Sequence, residues 1–167
     1  LKLMGVKIKF EKIKKYKGEK IADLLVMSTK KIKPINCPTK LNTAAIDEFL
    51  LIFLVAAKAD GVSVFKNLSE LNQKESPRLK WGSKILTMMG VKNEVTNNSL
   101  KVYGNSNLQI KNKIIIKKFL KDHRIFMAST IAALVFGGNW QIHDKDSIKT
   151  SFPSFLEKIK YLGAEIQ

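Results

Sequence analysis

Apolar and β-patterned runs alternate along the chain, and their spacing predicts its elements. Residues 46–59 ("IDEFLLIFLVAAKA") are apolar almost all round after an acidic start. That pattern predicts a helix buried on every side, not an amphipathic surface helix. Residues 123–136 ("HRIFMASTIAALVF") repeat the theme. Short strands are expected on either side of each helix: "IKPINCP" (32–38) and "VSVFKNL" (62–68) about the first, "NKIIIKK" (112–118) and "WQIHDKD" (140–146) about the second. Amphipathic helices are predicted over 75–89 and 153–162. "VKNEVTN" (91–97) and "SLKVYGN" (99–105) read as antiparallel strands joined by a polar turn at Asn97–Asn98.

Two phrases recur. "LKLMGVKI" (1–8) returns as "LTMMGVKN" (86–93) and as "IKYLGAEI" (159–166), each read as a helix end, a glycine in the left-handed cap position and a strand start. "IDEFLLIFLVAAKADGVSVF" (46–65) likewise resembles "DHRIFMASTIAALVFGGNWQI" (122–142), with Asp47 and Asp122 in corresponding positions. One supersecondary unit therefore repeats. Residues 1–33 are expected to be the tail of a first unit, 34–105 a complete βαβαββ unit and 106–167 a last one. Because the first helix of the unit is apolar throughout, the α/β (α+β) layering is expected to run with helices inside and sheets outside, the inverse of the usual arrangement. A chain that opens on Leu1 and on the end of a helix reads as a piece of a longer protein.

Composition narrows the function classes. A chain of 167 residues with 45% hydrophobic content can bury a real core. Its net charge of +16 invites a nucleic-acid reading. The lysines are scattered, however, and no helix-turn-helix, zinc-finger spacing or aromatic stacking motif accompanies them, so no nucleic-acid partner is expected. A cationic surface does favour small anions. The single cysteine, Cys37, permits no internal disulfide, and with no signal peptide a reducing, cytoplasmic setting is expected. The run at 49–57 is far shorter than the ~20 residues a bilayer requires, so no membrane association is expected.

Of the 30 basic residues only two are arginine, Arg78 and Arg124. Lysine serves wherever charge alone matters. Arginine's planar fork grips carboxylate or phosphate oxygens in pairs, so its two retained positions point to sites where geometry matters. Both stand among other ionisable residues: Lys74 and Glu75 precede Arg78, and Asp122 and His123 precede Arg124.

At these positions "AIDEFLLIFLVAAKADG", "LSELNQKESPRL", "KDHRIFMAS" and "KTSFPSFLEKIKYLGA" occur in the order and spacing of the 5-enolpyruvylshikimate-3-phosphate synthase family, and the resemblance covers essentially the whole chain. It implies the C-terminal portion of such an enzyme, with an inside-out α/β barrel fold built of repeated units. It also implies transfer of the enolpyruvyl group of phosphoenolpyruvate onto the 5-hydroxyl of shikimate 3-phosphate, with release of phosphate through a tetrahedral intermediate. No metal or cofactor is implied. The partners implied are the two substrates and the N-terminal domain of the same enzyme, without which the chain is not expected to turn over.

The resemblance carries roles to particular residues. Asp47 matches the proton acceptor for the sugar hydroxyl, and Lys74 a contact to shikimate 3-phosphate. Glu75 matches the group that handles the proton at the methylene carbon. Arg78 and Arg124 match the two phosphoenolpyruvate-binding arginines, Asp122 and His123 complete the second arginine's motif and are carried over with it as substrate-binding positions, and Lys149 is carried over as a further substrate-binding position near a lysine that other members place two residues before "FP". A base, an acid and cations for two anionic ends are what this reaction needs. One departure stands out: Pro77 occupies the place where the family usually has an aspartate, removing an acid that could orient Arg78. Two alternatives remain open at this point, a UDP-N-acetylglucosamine 1-carboxyvinyltransferase-like enzyme and a basic anion- or nucleic-acid-binding protein.

Overall fold

A computed structural model describes residues 1–166. A 3-10 turn at Lys2–Met4 leads into a long antiparallel hairpin, β1 (Lys7–Tyr16) and β2 (Glu19–Met27). Next come a short helix α1 (Asn42–Ala45), a 3-10 turn at Ile46–Glu48 and helix α2 (Phe49–Ala57). Strand β3 (Gly61–Phe65), helix α3 (Arg78–Met88) and strands β4 (Asn93–Val95) and β5 (Leu100–Gly104) follow. The chain continues through β6 (Lys113–Ile116), α4 (His123–Phe136), β7 (Asn139–Ile142) and α5 (Phe155–Tyr161). Strands β3, β5 and β4 form an antiparallel sheet in that order, whereas β6 and β7 pair in parallel across the α4 crossover.

The layering is inside-out. Helices α2, α3 and α4 pack against one another, and the sheets cover them. On β3 and β5 the alternation is clean: Ser63, Phe65, Leu100 and Val102 are buried toward the helices while Val62 and Lys101 face outward. Phe49, Phe53 and Phe65 form an aromatic knot with ring centroids 5.1–6.0 Å apart. Helix α2 is not enclosed on every side, since Leu51 stays 38% exposed. Close approach of α2 and α3 depends on Gly82, where a Cβ would lie 2.7 Å from a ring carbon of Phe53. Gly82→Ala should therefore cost about 1–3 kcal/mol, measurable by urea unfolding, despite alanine's better helix propensity.

Each of the three recurring phrases ends in the same backbone pattern. Gly5, Gly90 and Gly163 all have positive φ, from 77 to 97°. Around Gly90 the N–H groups of Gly90 and Val91 donate to the carbonyls of Thr87 and Leu86, and around Gly163 those of Gly163 and Ala164 donate to Lys160 and Ile159. Both are Schellman caps. The polar turn at Asn97–Asn98 also forms, closed by Thr96 N–H donating to the Ser99 carbonyl.

Several boundaries differ from the sequence reading, four of them for a local reason or by a change of element. Residues 32–38 form no strand, only a single parallel bridge of Asn36 to Val64, because Pro34 and Pro38 cannot donate to a ladder. The helix expected over 46–59 is interrupted: its first turn is 3-10, and α2 proper begins at Phe49. The helix expected from residue 75 begins only at Arg78, since Pro77 disfavours a helical residue before it. Strand β7 ends at Ile142, where Asp144 turns left-handed (φ 58°) into a 3-10 turn, Lys145–Ile148, which leaves His143 just beyond the strand.

Candidate active site

Three helices point their N-terminal ends at one another, and the ionisable residues singled out in the sequence gather there. Asp47 lies in the 3-10 turn that feeds α2, Lys74 and Glu75 in the segment before α3, and Arg78 at the first position of α3. Asp122 is the N-cap of α4 and Arg124 its second residue. Helix N-termini present unpaired N–H groups and the positive end of the macrodipole, so their convergence favours anions.

Arg78 and Asp122 form the floor, their side chains 2% and 0% exposed. Arg78 donates from Nε to Asp122 Oδ2 at 2.9 Å and from Nη2 to Asp122 Oδ1 at 3.3 Å. Asp122 also accepts from Ser76 Oγ at 2.8 Å and from the Arg124 backbone N–H at 2.9 Å. The second of these is the helix cap. Burial by itself would push the Asp122 carboxyl up, but the hydrogen bonds from Arg78 and Ser76, the Arg78 charge and the Arg124 N–H outweigh it and hold the group below its ordinary value. Burial likewise works against the Arg78 charge, and the carboxylates of Asp122, Glu75 and Asp47 more than offset it, raising the guanidinium.

The opposite end of the Arg78 fork meets the half-exposed carboxylates. Nη1 donates to Asp47 Oδ1 at 2.9 Å, and Nη2 also donates to Glu75 Oε2. The helix expected over 75–89 would have included Glu75; instead Glu75 precedes α3, yet the loop folds it onto the same guanidinium. The aspartate missing at Pro77 is not needed to orient Arg78, because Asp122 does so from α4. Arg124, 28% exposed, donates from Nη1 to the Asp47 carbonyl at 2.8 Å and to Glu48 Oε1 at 2.9 Å, with Nη2 3.7 Å from Asp47 Oδ2. Lys74 Nζ stands 3.0 Å from Glu70 Oε1 and 3.9 Å from Asp47 Oδ1.

Two residues named in the sequence stand apart from this network. His123 begins α4, half-buried, with no hydrogen bond from its ring among the described residues. Lys149 is 70% exposed and pairs with Asp146 in its own turn. Ser76 was missed, although it is 1% exposed and hydrogen-bonded to Asp122. Its only sequence signal is the hydroxyl after the Lys-Glu pair. Glu70, which holds Lys74, carried no distinguishing pattern, whereas Glu48, readable beside Asp47 as a hydrogen-bond partner, accepts from Arg124. Among the described residues no group of three or more His, Cys, Asp or Glu could hold a metal ion, and no helix is long and apolar enough to cross a membrane.

Known proteins share this chain's sequence and its shape. The family model for EPSP synthase (3-phosphoshikimate 1-carboxyvinyltransferase) matches residues 1–159. The 3-phosphoshikimate 1-carboxyvinyltransferase of Zymomonas mobilis subsp. mobilis is 37% identical over 169 residues, covering 100% of this chain and 37% of that protein. The enzyme of the same name from Ruthia magnifica subsp. Calyptogena magnifica is 36% identical over 166 residues, covering 99% of this chain and again 37% of the relative. A solved EPSP synthase from Acinetobacter baumannii superposes with a TM-score of 0.91 at 32% identity, over 100% of this chain and 38% of that one. The chain thus spans little more than a third of the length of these relatives, and it shares their inside-out α/β barrel fold over that part. A family model spanning nearly every residue, agreeing with sequence relatives and with a solved structure, establishes that the chain belongs to the EPSP synthase family.

Proposed function

We propose that the chain supplies part of the active site of an enolpyruvyl transferase, which moves the enolpyruvyl group of phosphoenolpyruvate onto the 5-hydroxyl of shikimate 3-phosphate and releases phosphate. The observation that carries this reading is the cluster at three helix N-termini, where Asp47, Lys74, Glu75, Arg78 and Arg124 meet from four separate segments. In this reading the remaining two-thirds of a full-length enzyme supplies the other contacts, and the repeat limits at 33 and 105 divide the present part into units. A cytoplasmic biosynthetic role fits the same reading.

The chemistry assigns a task to each group. Asp47 takes the proton of the 5-hydroxyl as its oxygen bonds to C2 of phosphoenolpyruvate, while Glu75, protonated from solvent once it has parted from Arg78, gives that proton to C3 to form the tetrahedral intermediate. The C2–O bond to phosphate then breaks, the proton held by Asp47 leaves with the phosphate and C3 returns its proton to Glu75, so the enol ether and inorganic phosphate are the products. Arg124 and Lys74 are the more accessible cations and meet the anionic groups first. Asp122, Ser76 and Glu70 hold Arg78 and Lys74 in position without touching substrate.

Phosphate release from phosphoenolpyruvate plus shikimate 3-phosphate tests this directly. Release is expected when the chain is mixed with a separately expressed N-terminal portion of the enzyme and not from the chain alone. Arg124→Ala or Asp47→Ala should lower the rate at least about 100-fold. A mixture shown to associate that releases no phosphate counts against the assignment.

A further inference from the structure

Carboxylates accept from all three nitrogens of the Arg78 guanidinium in this structure. Asp122 takes the Nε side from below, where both groups are fully buried. Asp47 and Glu75 divide the opposite end, one on Nη1 and one on Nη2. With the residue 2% exposed, any external anion must arrive at that opposite end. We propose that Glu75 is a displaceable latch: its carboxylate occupies the place that the carboxylate of the incoming ligand takes on Arg78, and ligand binding expels it. The latch rests on the reading of this cluster as the phosphoenolpyruvate site, and it goes further by assigning Glu75 a position before the ligand arrives.

Three features single out Glu75 as the group that moves. Asp122 is immobilised by four hydrogen bonds from Arg78, Ser76 and the Arg124 N–H. Asp47 is tied into the first turn before α2, with its carbonyl also accepting from Arg124. Glu75, by contrast, is 55% exposed, sits in the irregular segment between the 3-10 turn at Ser69–Gln73 and α3, and has Arg78 as its only ion-pair partner among the described residues. Replacing one carboxylate by another conserves the charge-assisted bonds that the guanidinium prefers. The exchange also has a consequence for timing. Glu75 leaves its cation only when the ligand is seated, so the group assigned to C3 is released beside the ligand and not before.

The latch is tested by calorimetric titration of phosphoenolpyruvate into the wild-type chain and the Glu75→Gln and Glu75→Asp variants, each associated with the separately expressed N-terminal portion of the enzyme. The side chain is half-exposed, so both variants should keep the fold, which thermal unfolding verifies. Removing a competitor of ordinary surface-pair strength should tighten binding about 3- to 5-fold. The aspartate variant separates the latch from a general charge effect, because it keeps the charge but is one methylene too short to reach Nη2. Tightening in both variants supports the latch. Tightening in Glu75→Gln alone, or in neither, overturns it and leaves the phosphoenolpyruvate reading intact. Absence of binding in all three proteins overturns both.

Discussion

Gly104→Ala is expected to destabilise the fold severely. Gly104 closes β5 directly against the end of α2, and a Cβ there would lie 2.2 Å from the carbonyl oxygens of both Ala56 and Ala59. Neither obstacle is a side chain that could rotate away. Ala59 N–H donates to the Ala56 carbonyl, and Asn105 N–H donates to Ala57, so the helix end and the strand end are pinned to each other. Relief requires the sheet to move off the helices that it covers. Overpacking of this kind costs about 3 kcal/mol or more, a large share of the 5–15 kcal/mol that a domain possesses. Soluble yield and urea unfolding provide the measurement. Gly18→Ala is the control: its φ of 88° also disfavours alanine, but nothing lies within 4 Å of the added carbon, so about 1 kcal/mol is expected there.

Asp122→Ala should destabilise the chain by about 3–5 kcal/mol, the usual cost of removing one partner from a buried ion pair. The Arg78 charge would remain at the bottom of the cluster, with only the outward-facing Asp47 and Glu75 to compensate it, and α4 would lose its cap. Asp122→Asn separates these contributions, because asparagine still caps a helix. Most of the loss is expected to persist in the asparagine variant, identifying the charge pairing as the larger part. The pH dependence follows from the lowered carboxyl. Since the folded-state value lies below the unfolded one, the stabilisation is complete above the ordinary carboxylate value of about 3.9 and is lost as pH falls below it through the folded-state value. Unfolding free energies between pH 2 and pH 6 (roughly two pH units on either side of that value) should therefore show a steeper acid loss in the wild type than in Asp122→Asn.

The sequence disclosed what is written locally. An aspartate before an apolar run and a glycine after it mark both ends of α4, and the Met-Gly phrases mark caps, because such signals act within a few residues. The inside-out layering was legible in the nearly uniform apolarity of 49–57. What the sequence concealed lies at proline-governed boundaries and in contacts across long separations. Pro77 starts α3 three residues later than the amphipathic pattern suggests, and Pro34 and Pro38 reduce a strand to one bridge. The scarcity of arginine correctly marks positions where the fork geometry is used. It does not reveal the partner, and for Arg78 that partner is first of all protein: Asp122, 44 residues away, reached only through the packing of α3 on α4. Ser76 was invisible for the same reason, since its importance lies entirely in a tertiary hydrogen bond.

The β1–β2 hairpin bears on the lifetime of the chain. Its residues are almost all exposed, Phe10, Leu24 and Val26 among them, and its register slips between Glu11 and Lys14 at a left-handed Lys12. A ribbon so weakly anchored opens without disturbing the helical core. Each opening bares several lysyl peptide bonds to proteolysis and a β-edge to another chain. In this stretch of chain taken by itself, limited proteolysis is therefore expected to cut first in this hairpin, well away from the chemistry that the buried arginine and its aspartate hold in place.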